Sequence, residues 1–395
     1  MVGPFALDPM GTVRVRMVPI AEALKSAGGY DPRIVLPPYD NPPHSGRLMQ
    51  LKGVPISNIK MSRVPIFKYV LNSLRLTLNT FSMRPSIVHV FKPKGYSGVV
   101  AMICIILKRL HLIGTPLVID TDDLEGLSGY GSYYRSSRTR SLLMVLFFNF
   151  QERFIVRHAD QLTVASRGLF DISSKGFGLD SRKIHYLPNG AEKDPIYGND
   201  DLRWTGAPEG SNSVLLYTRF REFTVERLIR ILSRVADSIP SIRLIVVGKG
   251  SFGEENRLVS LAKECGLSDT ISIIGWVNPD SLPKALRSGE IAIYPFDDTL
   301  INRTKCPRKL VELLSMGKPV VAEDVGQVRE YIRNGETGLI VQSGNNDEFA
   351  RKIVQLLRDK ELRERLGSSA RDDVMKRFDW SELSKIVEIC YSNAT

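Results

Sequence analysis

Two doubly wound α/β domains in tandem are predicted by three observations. Short runs rich in β-branched residues alternate with longer helical patterns along the whole chain. Most of those runs are continuously apolar, as strands buried on both faces of a parallel sheet are. At 395 residues the chain exceeds one ordinary domain and suits two.

In chain order, the first half carries strand candidates at 2–7, 33–38, 86–91, 117–121, 161–165 and 184–187. The second half carries them at 214–218, 243–247, 271–274, 291–294, 319–322 and 339–341. Residues 225–238 and 348–360 have the length and spacing of crossover helices. Residues 65–81 read as an amphipathic helix, with Phe67, Leu71, Leu74, Leu78 and Phe81 on one face and Lys68, Asn72, Arg75 and Asn79 on another. Such a stripe either faces a core or lies on a membrane. Residues 135–158, basic and then apolar, read as a buried crossover helix. The stretch 192–212, rich in Gly, Pro, Asp and Asn, reads as a seam. The expected domains are therefore 1–195 and 213–378, with a linker over 196–212. Residues 361–395 are helical in pattern, with Phe378 and Trp380 as apolar anchors, and 379–395 are expected to pack back across the junction.

Composition excludes several classes. Hydrophobic content of 43% and charged content of 25% are those of a soluble protein. The longest apolar runs, 99–107 and 142–150, are too short to span a bilayer. No basic-then-apolar leader opens the chain. Cys104, Cys265, Cys306 and Cys390 are widely spaced, which speaks against a disulfide framework and against zinc. A cytoplasmic protein, free or peripheral at the inner face of the membrane, is the expectation. The net charge of +11 sits wholly in residues 1–195, with 25 Lys and Arg against 14 Asp and Glu. Between Asp40 and Asp120 there is no acidic residue and there are 11 basic ones. Such a field attracts anions: a phospholipid surface, a pyrophosphate-bearing acceptor or nucleic acid, unless it is a plain solvated face. No recognition motif or aromatic platform for nucleic acid accompanies it.

In open α/β sheets, ligands bind beyond the carboxyl ends of the strands. In the second half, 214–218 delivers Arg219, 243–247 runs into Gly248-Lys249-Gly250, and 291–294 runs into Pro295-Phe296-Asp297-Asp298. The segment from Arg303 to Leu314 follows. Pro307 suits the first turn of a helix. Arg303, Lys305, Arg308 and Lys309 then crowd a helix start whose dipole is already positive, an arrangement that a diphosphate would relieve. Glu312 lies among Leu310, Val311, Leu313 and Leu314, where a carboxylate needs a partner: vicinal ribose hydroxyls or a nearby Arg.

The stretch 303–332, containing Glu312 to Ala322, Gly326 and Glu330, resembles the donor-site signature of the retaining family 4 glycosyltransferases, the glycosyl transferases group 1. Val247-Gly248-Lys249-Gly250, Pro188-Asn189-Gly190 and Arg219 are further matches. The resemblance implies the GT-B fold, two Rossmann-like parallel-sheet domains facing a central cleft, and a nucleotide-sugar donor. It implies that Glu312 binds the donor ribose, that Arg219 stabilises the diphosphate leaving group, and that Gly11 with Thr12 lies beside the donor phosphates. Gly248, Gly250, Thr304, Lys305, Arg308 and Lys309 complete the donor set. Two positions depart from the family pattern. Thr304 stands where the first glutamate of the E-x7-E motif is usual, and Thr224 stands where a diphosphate-binding lysine is usual. Lys305, Arg308 or Lys309 is the expected replacement cation, with Lys305 placed beside Arg219 and Glu312 in the catalytic set.

On the acceptor side, His89 is either a plain strand residue or the counterpart of a family histidine. The run Asp120-Thr121-Asp122-Asp123-Leu124-Glu125 ends one strand, and Lys92 and Lys94, further acceptor-side candidates, follow the end of another. Its carboxylates either bind acceptor hydroxyls or cap and pair locally. The resemblance implies no bound metal and no cofactor beyond the nucleotide-sugar. The expected function is transfer of a sugar from a UDP- or GDP-sugar, with retention, to a glycan or lipid-linked acceptor. The alternative is a catalytically silent relative that binds a glycan or a partner enzyme.

Overall fold

A computed structural model describes residues 1–8, 11–62, 68–129, 131, 142–192, 210–278 and 281–395. The chain divides into two compact units. Unit 1 comprises Met1–Gly190, Thr304–Cys306 and Trp380–Thr395; unit 2 comprises Ala191–Arg303 and Pro307–Asp379.

The strands of unit 1 are β1 (Ile34–Leu36), β2 (Leu48–Leu51), β3 (Val54–Asn58), β4 (Val88–Phe91), β5 (Leu117–Thr121), β6 (Gln161–Val164) and β7 (Ile184–Tyr186). One ladder runs β1-β3-β2 and the other β4-β5-β6-β7. Val2 joins them, bridging Val35 on one side and Val90 on the other. All pairs are parallel except β2 with β3. The run 2–7 was expected as a full strand, but pairing stops after Gly3, whose amide bonds Val35. Pro4 has no N–H to continue the ladder. The β2–β3 hairpin was not anticipated. It turns on Lys52 and Gly53, both at positive φ, as a two-residue hairpin turn requires.

Around this sheet lie α1 (Val18–Ala27), α2 (Lys68–Ser82), α3 (Gly95–Arg109), α4 (Leu142–His158) and the short α5 (Arg167–Asp171). A helical stretch over 11–17, with a π-turn at Val13–Met17, leads into α1. Leu76 of α2, Val100 and Cys104 of α3 and Ile155 of α4 pack into one core on one side of the sheet. Met17, Ile20 and Leu24 pack into another with Trp380, Leu383 and Val387.

Of the helix expectations, one left open is decided and one is corrected. In α2 the buried positions are Asn72, Ser73, Leu76, Thr77 and Thr80, whereas Leu74 and Leu78 are exposed. The polar side can face inward because Thr77 and Thr80 donate to the carbonyls of Ser73 and Leu76, and Asn72 accepts from the Ser62 amide. Phe67 lies outside the described residues, as do residues 135–141 of the helix expected at 135–158. The described part, α4, is not a buried crossover: only one of its faces is covered.

Unit 2 is one fully parallel sheet in the order β10-β9-β8-β11-β12-β13. Its strands are β8 (Ser213–Tyr217), β9 (Arg243–Val247), β10 (Ile271–Gly275), β11 (Ile291–Tyr294), β12 (Val320–Glu323) and β13 (Leu339–Val341). The helices are α6 (Val225–Ser238), α7 (Glu254–Glu264), α8 (Leu282–Arg287), α9 (Leu300–Thr304), α10 (Arg308–Ser315), α11 (Val328–Tyr331), α12 (Asn346–Arg358) and α13 (Lys360–Arg377). Leu228 and Leu232 of α6 and Phe349 and Ile353 of α12 form its core with the strands. The chain starts at β8, builds outward through β9 and β10, and returns to lay β11 on the other side of β8. The order therefore reverses between β8 and β11, the crevice where such sheets bind ligands. The last helix, α14 (Trp380–Ala394), belongs to unit 1.

Candidate active site

At the switch point of unit 2, Arg219 follows β8 directly. It is exposed and makes no ion pair or side-chain hydrogen bond among the described residues. The turn that carries it is built locally. Phe220 sits at φ 58, and its amide donates to Thr218 Oγ1 at 2.7 Å. Glu222, buried, accepts from the Arg221 amide at 3.1 Å. Gly248, after β9, sits at φ 121, and a Cβ there would lie 1.9 Å from the Thr218 carbonyl oxygen. Only glycine lets the ends of β8 and β9 approach this closely. Gly250 is enclosed by carboxylates: its amide donates to Glu255 at 3.1 Å, and a Cβ would meet Glu254.

The basic helix start is sorted by the fold. Pro307 is the N-cap and not a first-turn residue, and α10 begins at Arg308. Arg303 does not join it; it lies in the last turn of α9 and pairs with Asp298 at 2.5 Å, because five residues of helix and turn bring the two together. Lys309 stands 3.7 Å from Glu222 and over the Tyr217 ring at 5.6 Å, so it reaches the end of β8. Thr224, where the lysine was missing, serves as N-cap position of α6. Glu312, mostly buried, lies 3.2 Å from Arg308, which also stands 3.6 Å from Glu192. Arg219, Lys309, Arg308 and Glu312 thus belong to unit 2 with both glycines. Thr304 and Lys305 belong to unit 1; Thr304 is buried and its carbonyl accepts from Ser166 Oγ at 2.5 Å.

In unit 1 the carboxyl ends of β4 and β5 hold a compact charged cluster. Lys92 is buried at φ 62, with its amide on the Asp120 carbonyl. Its ammonium lies 2.6 Å from Asp122, 2.7 Å from Asp123 and 3.1 Å from Glu125. Lys94 pairs with Glu125, and Thr12 donates to Asp122 at 3.1 Å. Burial alone would lower the Lys92 pKa, but the three carboxylates hold it well above the ordinary lysine value. Burial likewise raises Asp122 and Glu125, and Lys92 overcomes it in both, leaving them low. Asp123 stays raised, by burial and by its two acidic neighbours. Ligating atoms of Asp122, Asp123 and Glu125 lie within 4.8 Å of one another, and the Lys92 ammonium stands among them as their cation.

Asp120 is removed from the acceptor set. It is wholly buried, bonded to Arg16 at 2.7 and 2.8 Å and to Thr163 at 2.7 Å. Arg16 reaches on to the carbonyls of Leu187 and Pro188 and to Asn189. This ion pair fixes the segment before the seam and leaves no oxygen for a ligand. Gly11 is exposed at a helix start with ordinary backbone angles, so no strained loop requires it. His89 is a core residue whose Nδ1 meets Tyr391 Oη at 2.9 Å, and burial holds its pKa well below the ordinary value. A further network escaped sequence reasoning: Arg227 of α6 pairs with Asp297 and Glu323 and bonds Asn346 at 2.9 Å. It pins the loop after β11. An arginine on the apolar face of α6 and a glutamate ending β12 are the signals that were available.

The profile described as "Glycosyl transferases group 1" matches residues 200–373, and the one described as "Glycosyl transferase 4-like domain" matches residues 11–190. The chain is 25% identical to a phosphatidyl-myo-inositol mannosyltransferase of Mycobacterium leprae, over 100% of this chain and 96% of that one. Among solved structures it is similar to sucrose-phosphate synthase from Thermosynechococcus elongatus, with TM-score 0.71 and 17% identity over 99% of this chain and 98% of the other. It is also similar to Anabaena HepE in complex with UDP, with TM-score 0.66 and 15% identity over 99% of each chain.

Proposed function

The chain belongs to glycosyltransferase family 4 and has its GT-B fold of two Rossmann-like domains, and from that premise we propose how its residues divide the work of sugar transfer. It is an enzyme that uses a nucleotide-sugar donor. The donor lies at the β8/β11 switch point, as a UDP- or GDP-sugar. Arg219 meets the diphosphate, and Lys309, brought to the end of β8, supplies the charge that Thr224 cannot. Glu312 takes the ribose hydroxyls, exchanging its contact with Arg308 for them and freeing that guanidinium toward the phosphates. As the bond from anomeric carbon to phosphate oxygen breaks, negative charge grows on the diphosphate. Cations already in place lower that barrier without reorganisation.

The observation that carries this reading is the unpaired, exposed Arg219 at the switch point, beside a lysine held in position by Glu222 and Tyr217. On the acceptor side, Asp122, Asp123 and Glu125 accept from acceptor hydroxyls, and Lys92 and Lys94 offer charge to an anionic group. A lipid-linked or membrane-surface acceptor fits the acid-free stretch from 41 to 119 and agrees with the name of the mycobacterial relative. Transfer proceeds with retention of anomeric configuration, and no metal takes part.

Hydrolysis of UDP- and GDP-sugars by the purified protein tests the donor roles. Arg219→Ala and Glu312→Ala are each expected to lower turnover by about 10²–10³-fold, with melting temperature unchanged. Unaltered turnover in either variant discards the role given to that residue.

A further inference from the structure

The outer face of α4 carries a pattern that sugar transfer leaves unused. The inner face, Val145, Phe148, Gln151, Glu152, Ile155 and Val156, is buried at helical spacing. On the opposite face, Leu143, Leu146, Phe147 and Phe150 stand at i, i+3, i+4 and i+7, and are 77%, 43%, 38% and 51% exposed. Apolar surface of that extent on a soluble protein marks an interaction site. Farther along the same face the stripe turns cationic at Arg153 and Arg157, both exposed. About 10 Å of helix separates Phe150 from Arg157.

The position of this helix is as informative as its surface. Asn149 accepts from the Leu127 amide at 3.1 Å, and Glu152 accepts from Glu125 and Gly126 at 2.8 and 2.7 Å. The apolar stripe therefore ends, at Phe150, between the two side chains that hold the loop carrying Glu125 of the Lys92 cluster. On the same side of the sheet, α2 turns Val70, Leu74 and Leu78 outward beside the exposed Lys68 and Arg75.

We propose that the N-terminal half of α4 docks on an anionic membrane. Leu143, Leu146, Phe147 and Phe150 enter the boundary between headgroups and acyl chains, and Arg153 and Arg157 meet lipid phosphates. Charge selects this occupant. Neighbouring α2 and α3 lie in the stretch that contains no acidic residue, so a second copy of the chain would set one basic face against another. The inference rests on the reading that the Lys92 cluster takes a lipid-linked acceptor, which docking here would present at the cluster's edge.

Flotation of the full chain with vesicles tests it, using phosphatidylcholine alone and phosphatidylcholine mixed with phosphatidylglycerol. Circular dichroism and melting confirm folding, and donor hydrolysis without vesicles is read separately. The wild type is expected to float with the anionic vesicles and far less with the neutral ones. The triple variant L143N/F147N/F150N and the double variant R153E/R157E should each lose bound protein by at least about tenfold, with vesicle-free hydrolysis unchanged. Flotation of the triple variant at the wild-type level overturns the proposal. So does a wild type that ignores vesicles but dimerises in light scattering until the triple substitution is made. Normal flotation without any hydrolysis upholds docking and tells against the donor roles instead.

Discussion

Lys92 holds a backbone conformation that costs an ordinary side chain about 1–2 kcal/mol, and it places one ammonium among three carboxylates. Its removal takes from Asp122 and Glu125 the cation that does most to keep them ionised, leaving Glu125 with Lys94 alone. Lys92→Met should therefore cost about 3–5 kcal/mol near neutral pH. In that variant the folded-state pKa values of the buried carboxyls rise above their unfolded values. Part of the lost stability should then return as pH falls toward 5, which urea unfolding at several pH values measures. Glu152 makes a similar case in the wild type. Burial pushes its carboxyl from 4.5 up to about 7. The stability this group contributes is complete below 4.5 and is lost as pH rises to 7, by up to about 3 kcal/mol. Glu152→Gln should flatten that slope between pH 5 and 7.5, a difference that paired denaturation curves resolve.

Among the turns, two glycines with the same expected function differ in what the backbone demands. Gly248→Ala places a methyl 1.9 Å from the Thr218 carbonyl at φ 121. It should destabilise unit 2 by roughly 2–4 kcal/mol and shift the turn that carries Arg219. Gly11→Ala meets nothing nearer than Val15 Cγ2 at 3.9 Å and should change stability by less than about 0.5 kcal/mol. A loss of turnover in Gly11→Ala at unchanged stability would therefore mark contact with the donor. Strands such as β9, β11 and β13 were legible to the residue, because continuous β-branched runs are strands of a parallel sheet and little else. The β2–β3 hairpin was not, since Pro55 and an apolar Leu48 on the exposed side blur its period. The facing of α2 stayed open, because the pattern does not reveal that its threonines bond their own helix. Lys309 could be named as a cation from sequence, but only folding shows it beside Glu222 and Tyr217. Arg16 and Asp120 are 104 residues apart, and no local signal links them.

Across the whole molecule, the last sixteen residues follow unit 2 in sequence and complete unit 1 in space. Trp380, Leu383, Val387, Cys390 and Tyr391 close the core over Met17, Ile20 and Leu24, and Tyr391 supplies a hydrogen-bond partner for the buried His89 side chain. Each large apolar side chain contributes about 1.5–3 kcal/mol on burial. Together they approach the whole stability of a typical domain, about 5–15 kcal/mol. A chain ending at Asp379 should therefore lose unit 1 while unit 2 keeps its own sheet and core. Limited proteolysis with mass spectrometry should find cleavage spread through the first 190 residues and a resistant fragment from unit 2. That fragment should still gain melting temperature with UDP or GDP, by mass action on the folded form, if the switch point alone holds the nucleotide. A truncated chain whose first 190 residues resist protease as the full chain does would show that α1 and its sheet are stable without the returning helix.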